Sequence, residues 1–107
     1  FENRYILHSH YGVDFYGDIL TTTEKEIQDH PERVQKFLQA ALKGWKYALR
    51  HEDELIELIL RHYNSLNYSR EHLENEARVS RELIQPLLVP LGHMNPDRWE
   101  HIREIFA

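Results

Sequence analysis

Apolar residues recur at Val34, Phe37, Leu38, Ala41, Leu42, Trp45, Ala48 and Leu49. The successive spacings of 3, 1, 3, 1, 3, 3 and 1 keep these side chains on one face of a 3.6-residue helix. Pro31 suits the first turn of this helix, where a missing N–H costs nothing, and Glu32 suits the positive end of its dipole. Gly44 lies inside the helix at a cost of about 1 kcal/mol against Ala. It is either simply tolerated or marks the close approach of another backbone. Upstream, Thr23 followed by Glu26 forms a candidate capping box for a short helix ending near His30.

Residues 52–63 carry Leu55, Ile56, Leu58, Ile59 and Leu60 and predict a second long amphipathic helix, broken by residues 64–67. Ser69 is a candidate N-cap for a third, running to about Gln85 with Leu73, Ala77, Ser80, Leu83 and Ile84 facing inward. Pro86 and Pro90 bracket an apolar connection expected to be extended. Asn95 before Pro96 starts a last helix with Trp99, Ile102, Ile105 and Phe106.

The first twenty residues read differently. Residues 5–7, 13–16 and 19–20 hold the β-branched and aromatic side chains, punctuated by Gly12 and Gly17. This predicts one or two short strands or extended segments with turns at the glycines. The fold expected from the pattern is mainly α, with an extended or β segment over residues 1–20 and helices over 21–107.

The chain has 107 residues, the size of a single domain. At 13.0 kDa, surface scaling gives about 6,300 Å² exposed when folded against roughly 19,000 Å² unfolded, so a real core is expected. Thirteen Lys and Arg against eighteen Asp and Glu give a net charge of −5. No basic face is large enough to release many counterions, which argues against a nucleic-acid partner. Protonation of the eight histidines reduces the negative charge below about pH 6.5. The absence of Cys removes disulfides, thiolate ligands and a thiol nucleophile, and leaves the compartment open. No apolar run approaches the length of a membrane span. The chain begins at Phe1 rather than Met and carries no signal-peptide pattern, so it is expected to be processed, trimmed or cut from a longer protein.

Little catalytic chemistry is visible. His8-Ser9-His10 would point two imidazoles to one side of a strand, and His72 and Glu76 stand four apart on a helix. Neither pair has a third ligand at a committing spacing, and surface histidines are the expected reading, with no metal and no cofactor. No Ser-His-Asp order, Gly-rich phosphate loop or HExxH motif is present. Glu52, Asp53 and Glu54 sit at a helix start, where they favour the macrodipole. The expectation is a protein that is not an enzyme.

Residues 11–18, Tyr11-Gly-Val-Asp-Phe-Tyr-Gly-Asp18, concentrate three aromatics, two acids and two glycines outside any helix. Tyr11, Asp14, Phe15, Tyr16 and Asp18 are the candidate ligand-binding residues. Their rings offer π faces and their carboxylates accept hydrogen bonds from a small flat or cationic molecule. The competing reading places Phe15 and Tyr16 in the core and gives the glycines to turns.

This segment, followed by Leu20-Thr-Thr-Thr-Glu24, His30-Pro31, Lys43-Gly44-Trp45, Tyr47-Ala48 and Leu91-Gly-His-Met-Asn-Pro-Asp-Arg-Trp99, resembles the C-terminal part of bacterial solute-binding proteins. The group is the thiamine-pyrimidine-precursor type, relatives of the sulfonate and nitrate binders. The Phe-Tyr-Gly-Asp and Gly-His-Met-Asn-Pro forms also resemble versions fused to diguanylate cyclases and sensor kinases. The resemblance implies a fragment of a type 2 periplasmic-binding α/β fold, with a small-molecule ligand in the cleft of the intact parent. It also implies a periplasmic or extracytoplasmic location and, for the sensor versions, a membrane-attached parent. Two departures stand out. His30 replaces the usual Asn before the helix proline, and the cysteine-rich motif of the related fungal pyrimidine synthase has no counterpart. The alternative function is a helical interaction module. Its apolar faces, left bare in a fragment, would favour self-association.

Overall fold

Helix boundaries follow from the capping residues. In the computed structural model, which describes Arg4 and residues 6–107, α1 (Glu24–Asp29) starts at Thr23, whose hydroxyl accepts from the Glu26 N–H at 3.1 Å. α2 (Pro31–Ala48) follows after His30, which turns the chain with φ −140° and ψ 53° and makes no side-chain cap bond. α3 (Glu52–Leu58) runs into a π-helical turn (Ile59–Tyr63), so the predicted helix over 52–63 changes its hydrogen-bond pattern near its middle. α4 (Arg70–Ile84) is capped by Ser69, whose Oγ accepts from the His72 N–H at 3.1 Å. α5 (Pro96–Phe106) is capped by Asn95, whose Oδ1 accepts from the Asp97 N–H at 2.9 Å.

No strand forms among the described residues. Residues 6–7, 13–16 and 19–20, expected as strands or extended segments, carry no regular structure, and between the first two His8–Tyr11 is a 3₁₀ turn closed by Gly12 at φ 74°, a left-handed conformation that glycine adopts without a Cβ clash. Consecutive 3₁₀ residues are about 120° apart, so His8 and His10 do not share a side as they would on a strand. Tyr5, also expected in that strand, lies outside the described residues.

The chain divides into two units. One takes in the described residues up to Thr21 together with Met94–Ala107; the other is Thr22–His93. In the second unit α3 and α4 run antiparallel, as their ion pairs show: Glu57 meets Arg70 at one end and Glu52 meets Arg81 at the other. Between these ends lie the two apolar side chains that are buried among the described residues, Ile56 on α3 (4% exposed) and Leu73 on α4 (6%). The expected larger core is not seen among the described residues. Val34, Ala41, Leu42, Ala48 and Leu49 of the α2 stripe are half-buried, but Phe37 and Trp45 are 62% and 47% exposed. Periodicity reports which face is apolar, not whether anything covers it.

A Cβ at Gly44 would meet nothing within 4 Å, so the glycine marks no close backbone approach. Leu83, expected inward on α4, is exposed. The connection after α4 is turned rather than extended. Gln85 adopts φ 49°, its carbonyl accepts from the N–H groups of Leu88 and Val89, and Leu87 and Leu88 are exposed.

Candidate functional site

Residues 13–18 have no helix or strand of their own, and α5 supplies their geometry. Arg98, on the first turn of α5, is the principal anchor. Its Nη2 donates to Asp14 Oδ1 at 2.5 Å and to the Phe15 carbonyl at 2.9 Å. Its Cζ lies 4.2 Å from the centroid of the Tyr16 ring, a cation–π contact. Buried Nε has no hydrogen-bond partner among the described residues.

Neighbouring α5 groups extend this contact in both directions. The Asn95 N–H donates to the Tyr16 hydroxyl at 2.7 Å. The Tyr16 ring packs against Trp99 with centroids 5.2 Å apart, and Phe15 stacks on Phe106 at 5.5 Å. One turn along, His101 Nε2 donates to the Gly12 carbonyl at 2.9 Å. From the other side His8 Nδ1 donates to the Val13 carbonyl at 2.6 Å. Each imidazole faces a carbonyl, which only accepts, so the proton sits on the named nitrogen.

The five candidate residues therefore divide. Asp14, Phe15 and Tyr16 come together on α5, while Tyr11 (74% exposed) and Asp18 face solvent with no side-chain partner among the described residues. Sequence reasoning missed Arg98 and His101. Their contacts join positions more than eighty residues apart, and no local spacing encodes them.

Elsewhere, an open polar hollow lies at the junction of α2 and α3, lined by His51, Glu52, Glu54 and Arg81 among others. Here Tyr47 donates to Glu54 at 2.8 Å, which raises the Tyr47 phenol above its ordinary pKa, and stacks on His51 at 4.1 Å. His72 of α4 stacks on Tyr68. Among the described residues no three His, Asp or Glu side chains converge to hold a metal. No helix among the described residues is long and apolar enough to cross a membrane.

The sequence profile of the NMT1/THI5-like family matches residues 2–55, which include the whole of segment 11–18. The formylaminopyrimidine-binding protein of Halalkalibacterium halodurans is 25% identical over 95 residues, covering 86% of this chain. Those residues amount to 29% of that relative, so the chain spans under a third of the length of the curated protein it matches. No solved structure gives a significant match. With half of its residues matched by the family profile, the chain belongs to the NMT1/THI5-like family.

Proposed function

We propose that this chain is the C-terminal part of an extracytoplasmic solute-binding protein that recognises a small pyrimidine and carries out no catalysis of its own. The observation that carries the reading is family membership over residues 2–55, the stretch that includes the aromatic and acidic segment. Similarity to a relative named for formylaminopyrimidine binding supports the ligand class. In this reading Tyr11 stacks on the flat ring, and Asp18 accepts from an exocyclic amine, more strongly if the ligand is protonated. Asp14 offers its second oxygen, and Phe15 and Tyr16 form the floor that holds these groups in place.

Calorimetric titration of the intact protein with formylaminopyrimidine tests the assignment. Tyr11→Ala should weaken binding by about 0.5–1.5 kcal/mol. Asp18→Asn should weaken it by about 1.5–3 kcal/mol. Unchanged affinity in both variants would return segment 11–18 to a purely structural role.

A second reading, a helical interaction module, is favoured by the exposed Phe37 and Trp45 on α2. It predicts that the isolated chain self-associates, burying more than about 1,000 Å² in a specific contact. Sedimentation showing a monomer up to high concentration would remove it. Within the solute-binding reading, the sensor form requires a membrane-attached parent, and a downstream membrane segment in the full reading frame is its test.

A further inference from the structure

We infer that Arg98 is the positioning residue of the ligand segment: it sets ligand affinity through Asp14 and the Phe15 carbonyl without touching the ligand. The inference rests on the reading of residues 11–18 as a ligand-binding segment. Three observations carry it. Segment 13–18 has no secondary structure of its own, so its shape depends on what grips it. Arg98 grips three consecutive residues by three different means: a carboxylate on Asp14, a backbone carbonyl on Phe15 and a ring face on Tyr16. Its Nε is buried, and the side chain as a whole is half-buried, at 34% exposed.

The chemistry requires arginine. A planar guanidinium can lie over a ring while its edge donates to two acceptors. A lysine ammonium is a point charge that can satisfy Asp14 but cannot also stack on Tyr16 and reach Phe15 in fixed geometry. Pairing also directs Asp14 Oδ1 toward α5, which leaves Asp18 as the acid of the segment without a cationic partner among the described residues.

The test is a double-mutant cycle in the intact protein, read by calorimetric titration with formylaminopyrimidine, with a thermal melt of each variant. Arg98→Met and Asp14→Asn should each weaken binding roughly tenfold, and the double variant should lose clearly less than the product of the two losses, because both remove the same ion pair. Arg98→Lys should recover only part of the affinity while melting near the parent temperature, which separates positioning from folding. Wild-type affinity in Arg98→Met, full recovery with Lys, or multiplying losses in the double variant would overturn the inference. If Arg98→Met fails to fold, the Lys variant and Asp14→Asn decide it. Absence of binding by the unmutated protein would instead refute the proposed function.

Discussion

The Asn95 N–H donates to the Tyr16 hydroxyl at 2.7 Å, joining the residue that caps α5 to the ring at the centre of segment 11–18. One side chain of Asn95 starts the helix, and its own backbone donor fixes the loop that the helix supports. Tyr16→Phe keeps the ring contact with Trp99 and removes this acceptor. The expected cost is about 1 kcal/mol in stability, with faster exchange of the Asn95 amide hydrogen. An Asn95 amide exchanging at the wild-type rate would show that the hydroxyl is not its partner.

Gly92→Ala should destabilise. Gly92 adopts φ 79°, where an L side chain is strained, and an added Cβ would lie 2.8 Å from Leu42 Cδ2. The expected loss is about 1–2 kcal/mol in urea unfolding, set mainly by the backbone conformation because the Leu42 methyl can move. Adding Leu42→Ala relieves the contact but not the strain, so it should not restore stability. Restoration would assign the whole effect to packing.

Gly44→Ala should have the opposite sign. With open space at its Cβ position, only helix propensity acts, and a gain of about 0.5–1 kcal/mol is expected. A fall in melting temperature would reveal a neighbour at that face.

Helix starts were legible in the sequence because capping is local. Thr23, Ser69 and Asn95 each sit within three residues of the N–H they accept from. The α2 face was legible from its spacing. The 3₁₀ turn at His8–Tyr11 was not, because His-Ser-His-Tyr carries no apolar helical spacing and only Gly12 marks the turn. Nor was the π-helical turn, since Leu58, Ile59 and Leu60 fit either helix type. At the candidate site the sequence showed the aromatic and acidic density of residues 11–18. It did not show that Arg98 reaches Asp14, a contact across 84 positions between groups that each look like ordinary surface charges.

Acid should loosen the corner between α1 and α2. Arg33 donates through Nε and Nη2 to the two oxygens of Glu26, holding that carboxyl below its ordinary value of 4.5. A depressed folded value means the pair contributes above the unfolded value, and the contribution fades as pH falls through the lowered one. Arg33 is exposed and Glu26 half-buried, so the pair is screened by solvent and the effect on global stability is small and salt-sensitive. Following the Glu26 carboxyl carbon by NMR should show a midpoint below 4.5 that returns toward that value in Arg33→Met. An unchanged midpoint would show that the ion pair is not formed in solution.

Calorimetric titration of formylaminopyrimidine into the intact protein and, in parallel, into the isolated 107-residue chain tests the central claim most directly. The account predicts saturable one-to-one binding by the intact protein and none by the isolated chain, because in the proposed reading segment 11–18 supplies one wall of a cleft whose other wall lies in the rest of the parent. No binding by the intact protein would contradict the solute-binding reading, and micromolar binding by the isolated chain would contradict the divided cleft.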